Sequence, residues 1–166
     1  PFDEDSLDML VELGMPAIKL ASSDLTYLSF LKRAGETGLP VVLSTGMGTN
    51  EEIEAALKAI RFTGNENIIL LHCVSNYPSE DWEIELNQID FLKNRYPGLV
   101  IGHSTHEYHD WTASMLMSYA KGARTWERHI DIPYPKGHKQ KAAKMLGWGR
   151  NTLTRKQKEL WPNDGD

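Results

Sequence analysis

Apolar residues recur along this chain in two alternating patterns. Stripes at helical spacing predict five amphipathic helices laid on a sheet: Leu7, Leu10 and Val11; Leu28 and Leu31; Ile53, Ala56, Leu57 and Ile60; Ile89 and Leu92; Met115, Leu116 and Tyr119. Between them lie short apolar runs without alternation, at residues 17–21, 41–44, 68–73, 99–102 and 123–127, which read as strands buried on both faces. Each helical segment is closed by a glycine, at Gly14, Gly38, Gly64, Gly98 and Gly122, where a left-handed C-terminal turn favours that residue. Asn50, followed by Glu51 and Glu52, predicts an N-cap with acids in the first helical turn. Five helix–strand units in strict alternation predict an α/β fold with a parallel sheet.

Length and charge narrow this picture. The chain has 166 residues, 40% of them hydrophobic, and no apolar run long enough to span a bilayer. A closed eight-fold barrel needs roughly 250 residues, so this length cannot supply one. The formal charge of −5 is uneven: residues 1–135 hold 10 Lys and Arg against 20 Asp and Glu, whereas residues 136–166 hold 8 against 3. Residues 1–135 therefore read as the folded domain and residues 136–166 as a basic, partly helical tail. A single cysteine, Cys73, mid-strand among apolar neighbours, reads as an inert buried thiol. One cysteine and no signal-peptide pattern fit a reducing cytoplasm.

Every predicted strand ends in polar residues. They are Lys19 with Ser22 and Ser23; Ser44 with Thr45; His72 with Ser75, Asn76 and Tyr77; Ser104 with His106; and Glu127 with His129. Parallel α/β folds bind ligands at the carboxyl ends of their strands, so these side chains are the candidate site. The turn from Ser44 to Thr49 offers hydroxyls and backbone N–H groups to a phosphate or carboxylate. It matches neither a Walker loop nor a dinucleotide fingerprint. His106 and His129, past the ends of consecutive strands, make an open metal site of borderline hardness that Mn²⁺, Fe²⁺, Co²⁺ or Zn²⁺ could occupy. Periodicity alone does not say which of His103, His106 and His109 turns inward.

Several strings resemble one known family in content and order: Pro1-Phe2-Asp3-Glu4, Ile18-Lys19-Leu20-Ala21-Ser22-Ser23-Asp24, Leu43-Ser44-Thr45-Gly46-Met47, Leu71-His72-Cys73-Val74-Ser75-Asn76-Tyr77-Pro78, Gly102-His103-Ser104-Thr105-His106 and Glu127-Arg128-His129. That family is the sialic acid synthases, which includes the N-acetylneuraminate, legionaminate and pseudaminate synthases; the resemblance spans about the first 130 residues. It implies a (β/α)8 TIM barrel, with the five units here as strands four to eight and the chain starting after strand three. It implies a transferase that condenses phosphoenolpyruvate with an N-acylated amino sugar, such as N-acetylmannosamine, to a nine-carbon 2-keto sugar acid and phosphate. A divalent metal, Mn²⁺ or Mg²⁺, would be held by His106 and His129 and would polarise the sugar aldehyde. Lys19, Ser22, Ser44 and Ser104 would grip phosphoenolpyruvate, while Ser75, Asn76 and Tyr77 would face the sugar.

The resemblance has gaps. Thr105 stands where the family places an aspartate, the Gly-Pro-Asp stretch has no counterpart at residues 135–139, and the tail from Lys141 aligns with nothing. The family's catalytic glutamate and a second lysine belong to strands one to three, outside this chain. Five barrel strands alone would expose two sheet edges, so pairing with another copy as a homo-oligomer, or with the missing strands, is expected, and inactivity without them. Two further readings stay open: a self-contained doubly wound domain of five strands binding a small phosphorylated ligand, and a non-catalytic module whose basic tail meets an acidic partner. The tail lacks the basic–aromatic interleaving of nucleic-acid binders, so no nucleic-acid partner is expected, and no membrane either.

Overall fold

The computed structural model describes residues 1–107 and 109–129, and the basic tail with its proposed boundary at residue 135 lies outside the described residues. Five helix–strand units follow one another: α1 (Glu4–Glu12) and β1 (Ile18–Leu20), α2 (Leu28–Glu36) and β2 (Val41–Ser44), α3 (Asn50–Arg61) and β3 (Ile68–Cys73), α4 (Asn87–Arg95) and β4 (Val100–Thr105), α5 (Trp111–Ala120) and β5 (Trp126–Arg128). All five helix-closing glycines have positive φ, between 72° and 101°. That is the left-handed turn for which a residue without Cβ is needed.

The strands pair in parallel in chain order, β1-β2-β3-β4-β5. A doubly wound sheet reverses its order at a switch point, and this one does not, so the self-contained doubly wound reading is excluded. The sheet is instead curled like the wall of a (β/α)8 barrel. In a flat sheet, four strand spacings of about 4.8 Å would hold β1 and β5 about 19 Å apart, farther than two side chains can span. Yet Lys19 Nζ of β1 lies 3.3 Å from Glu127 Oε2 of β5. Among the described residues, β1 pairs only with β2 and β5 only with β4.

Register divides the sheet into two faces. Ile18 pairs with Val41 and Val41 with Ile68, while Leu20, Leu43, Leu70 and Ile101 form the next row. These rows belong to one buried cluster with Leu7, Phe30, Leu31, Ile53, Leu57, Ile60, Ile89 and Leu92 from the helices. Because side chains alternate along a strand, the residues between them project to the concave side. Burial of each large aliphatic side chain in the helix-side layer contributes about 1.5–3 kcal/mol, so this layer holds the helices to the sheet.

The structure revises the sequence reading in several places, among them Val11, which is exposed, and β4, which runs three residues beyond its apolar run to Thr105. Thr49, not Asn50, caps α3: its hydroxyl accepts from Glu52 N–H at 3.2 Å while the Glu52 carboxylate accepts from Thr49 N–H at 2.7 Å. α2 buries Phe30, Leu31 and Ala34, whereas Leu28 is exposed in its first turn. α5 buries Ser114 and Ser118 and leaves Leu116 and Tyr119 outward, because both serines have partners inside: the Glu107 carboxylate and the Trp126 indole N–H, the latter at 2.8 Å. β5 begins at Trp126, three residues later than its apolar run, although Arg124 N–H already donates to Ile101 O at 2.8 Å. None of the described helices is long and apolar enough to cross a membrane.

Polar groups also enter the helix-side layer at the ends of β3 and β4. His72 and His103 stack at 5.4 Å between ring centroids, with planes 10° apart. His72 Nε2–H donates to Ile84 O at 2.7 Å, while His103 Nδ1 is buried without a partner. Burial foremost, then the neighbouring His72 and His106, depresses the His103 pKa from 6.5 to about 3. His103 therefore stays neutral in the fold while the unfolded chain protonates near pH 6.5. Stability attributable to this group is intact above pH 6.5 and falls as pH drops towards 3, by about 1.4 kcal/mol per unit. Between pH 7 and pH 5, His103→Leu should lose about 2 kcal/mol less unfolding free energy than the parent chain in urea titrations; equal losses would contradict this assignment.

Candidate active site

The concave face encloses a cavity of about 600 Å³ whose lining includes Lys19, Ser22, Ser44, Tyr77, Ser104, His106 and His129. Most of these positions follow from pairing. Cys73 lies opposite Ser104 and Ser104 opposite Glu127, so three adjacent strands present one row of polar atoms to the cavity. Ser44 sits one row lower, opposite Leu71, and is buried. Lys19 projects from the far edge strand and closes the ring of contacts on Glu127.

Glu127 organises this face. Its Oε2 accepts from Ser104 Oγ at 2.8 Å and pairs with Lys19 Nζ at 3.3 Å. Lys19 also donates to Leu20 O at 3.0 Å. Both charged side chains are about a third exposed, so the ion pair contributes at most ~1 kcal/mol, and its value is in position. It presents a cation and a hydroxyl together at the cavity floor. Glu127 stands among the sequence candidates only as a polar strand end. Its spacing of two from His129, the period of one strand face, was the available signal.

The three histidines of the β4 segment part ways. His106 lines the cavity, His103 turns to the helix side against His72, and His109 lies exposed beyond the strand. His106 Nδ1 lies 2.7 Å from Val74 O. A carbonyl only accepts, so Nδ1 carries the proton and the Nε2 lone pair is free. Burial, the largest influence, lowers the His106 pKa and favours this neutral form. His129 lies edge-on to His106 with centroids 5.2 Å apart, and the Tyr77 ring covers His106 at 4.1 Å. The Tyr77 hydroxyl is raised above its ordinary pKa by burial, then by Cys73 and Glu127, and remains a neutral donor.

Two adjacent imidazoles, one oriented by a backbone carbonyl, form a donor set suited to a borderline divalent ion. Among the described residues no group of three or more His, Cys, Asp or Glu side chains converges on a metal position. An ion held here would keep several positions for water or substrate.

The remaining candidates fall at the rim. Ser22 Oγ accepts from Gly46 N–H at 2.9 Å, which ties the end of β1 to the end of β2. Ser75 Oγ is buried close to Gly46 and has no partner. Asn76 does not line the cavity; its side-chain amide donates to Glu83 Oε1 at 2.8 Å. The turn from Ser44 to Thr49 is less open to an anion than its sequence implies, because Thr45 Oγ1 donates to Leu71 O at 3.0 Å and the capping box occupies Thr49 N–H and Glu52 N–H. Cys73 is buried as expected, and it borders the cavity.

A curled parallel sheet with polar side chains gathered at the carboxyl ends of its strands defines a barrel-type ligand site. Residues 1–153 match the family described as the NeuB family. The chain is 38% identical over 133 residues to N-acetylneuraminate-9-phosphate synthase of Drosophila melanogaster, which covers 78% of this chain and 34% of that protein. It is 36% identical over 134 residues to N,N'-diacetyllegionaminic acid synthase of Campylobacter jejuni, covering 80% of this chain and 39% of that protein. The crystal structure of N-acetylneuraminic acid synthetase from Leptospira borgpetersenii superposes with a TM-score of 0.73 at 29% identity, over 99% of this chain and 57% of that one. This chain belongs to the NeuB family. It spans between a third and two fifths of the length of the curated relatives it matches.

Gly46 tests how tightly the rim is built. A Cβ at this position would lie 2.3 Å from Ser75 Oγ, 2.9 Å from Ser22 Oγ and 3.2 Å from Cys73 O. Gly46→Ala must therefore turn the Ser75 and Ser22 hydroxyls aside, at the expense of the Gly46 N–H to Ser22 bond, and displace the Cys73 carbonyl by a few tenths of an ångström. We expect a loss of about 1–3 kcal/mol in urea unfolding, and an unchanged midpoint would show that the rim yields freely to an added methyl group.

Proposed function

We propose that the concave face takes phosphoenolpyruvate and an N-acylated amino sugar such as N-acetylmannosamine, and joins them through a new carbon–carbon bond. Phosphoenolpyruvate, the sugar aldehyde and water give a nine-carbon 2-keto sugar acid and inorganic phosphate, which balances the atoms. The observation that carries this reading is the meeting of Lys19, Ser104 and Glu127 with the His106–His129 pair in one cavity of a NeuB-family chain. Its relatives' names as sialic and legionaminic acid synthases support the reaction class.

The roles follow from the chemistry of each group. Lys19, with the Ser22, Ser44 and Ser104 hydroxyls, binds the phosphate and carboxylate of phosphoenolpyruvate through charge-assisted hydrogen bonds. Glu127 holds Lys19 in place before the substrate arrives and yields it to the incoming anion. Tyr77 faces the sugar, whereas the Ser75 hydroxyl, buried against Gly46 and outside the cavity lining, reaches it only if the rim moves. Asn76 joins them only by leaving Glu83. A divalent ion held by His106 and His129 would supply Lewis-acid polarisation of the aldehyde, and two imidazoles favour Mn²⁺ over the harder Mg²⁺.

The 166-residue chain leaves a free edge on each side of its described sheet, so turnover is expected only when that sheet is completed. In a barrel completed with the first three strand–helix units of a NeuB-family relative, phosphate release should need both substrates. It should fall roughly 100-fold or more in His106→Ala and in His129→Ala, because metal polarisation contributes several kcal/mol. Release that ignores the amino sugar would overturn the reaction class. Robust release by the 166-residue chain alone would overturn the need for completion.

A further inference from the structure

The two imidazoles sit just past the ends of two neighbouring strands. His129 is the first residue past β5, and His106 the first past β4. The residue before His129 and the residue after His106 meet in the layer behind them. We infer that Arg128 and Glu107 form a latch that sets the spacing of His106 and His129; the inference rests on the metal-holding role given to that pair above.

The contacts are directional. Register places Arg128 opposite Thr105, on the strand face away from Glu127. Arg128 Nη2 donates to Glu107 O at 2.8 Å, and Nη1 donates to Thr105 Oγ1 at 3.1 Å and lies 3.4 Å from Glu107 Oε1. The Glu107 side chain is 1% exposed, and its Oε1 also accepts from Ser114 Oγ of α5. The guanidinium lies over the Trp111 ring, 5.4 Å from its centroid. On the other side, Ser79 N–H donates to His106 O at 3.2 Å, and Ser79 bridges to Glu107 in parallel. The backbone through His106 and Glu107 is thereby held by β5, α5 and the segment after β3.

A planar fork suits this task. One guanidinium reaches a backbone carbonyl, a hydroxyl and a carboxylate at once, and it flattens against an indole; an ammonium does none of this with fixed geometry. The buried Glu107 carboxylate has Arg128 as its cation, and removing that cation would leave an uncompensated buried charge. The latch therefore tends to be whole or absent. Arg128 borders the cavity, but both of its Nη groups are engaged, so it acts through the strand ends as a positioning residue.

Two measurements on the 166-residue chain separate this inference from the reading beneath it. Without metal, Arg128→Met should abolish the ring-proton NOE between His106 and His129 while the His72–His103 contact persists as proof of fold. With Co²⁺ as the probe, affinity read from the visible d–d band should fall about 10–100-fold, the usual effect of losing an outer-shell partner. Arg128→Lys should restore little of either, and Glu107→Gln, the fallback if Arg128→Met does not fold, should shift both in the same direction. A retained NOE in Arg128→Met overturns the latch, and so does a lost NOE with unchanged Co²⁺ affinity. A parent chain that takes up no Co²⁺, combined with a lost NOE in the variant, supports the latch and overturns the metal reading instead.

Discussion

Everything in this molecule depends on a two-residue alternation kept in step across five parallel strands. Ile18, Val41 and Ile68 share one row, and Leu20, Leu43, Leu70 and Ile101 the next, all on the face the helices cover. The residues between them have only the concave face left. A slip of one residue in any pairing would move Lys19, Ser44, Ser104 or Glu127 into the aliphatic layer and bring a leucine or isoleucine into the cavity. The free energy of burying the helix-side rows therefore also holds the site in register, without any of the site residues contributing much to stability themselves.

The curl of the sheet then converts neighbours in register into neighbours across a space. Lys19 and Glu127 come from opposite edges, and their contact closes the polar row that runs through Ser104. The cavity is consequently neither uniformly basic nor acidic. It offers Lys19, already held by a carboxylate, and beside it two imidazoles, of which burial keeps His106 neutral. Under the proposed function an anionic substrate would compete with Glu127 for Lys19, and solvent screening at a third exposure would keep that exchange inexpensive.

The layer behind β4 breaks the rule that the helix side is apolar. His103, Thr105, Glu107, Ser114 and Ser118 are all buried there, and the apolar residues of α5 face outward instead. Each polar group but one has a partner: Trp126 for Ser118, Ser114 and Arg128 for Glu107, Arg128 for Thr105. The exception is His103 Nδ1. A polar layer paired in this way gives up some hydrophobic stabilisation and gains directional constraint, and its Arg128–Glu107 part lies directly behind His106 and His129.

The number and order of the units, the parallel sheet, the five left-handed glycine turns and the ends of β2 and β3 were legible in the sequence. Each rests on a local property: helical spacing, a short apolar run, or a backbone conformation only glycine adopts cheaply. The polar residues at strand ends were legible for the same reason, as was the barrel family through the order of its motifs. Local pattern failed where a partner distant in sequence decided the outcome. α5 reads as an apolar stripe, yet its serines turn inward because Glu107 and Trp126 wait there. His103, His106 and His109 are chemically alike, and only the pairing of β4 with β3 and β5 sorts them into a stacked core ring, a cavity ring and an exposed ring. The Lys19–Glu127 contact and the Arg128–Glu107 latch belong wholly to tertiary structure, since curvature and register bring together residues whose sequence spacing carries no trace of the meeting.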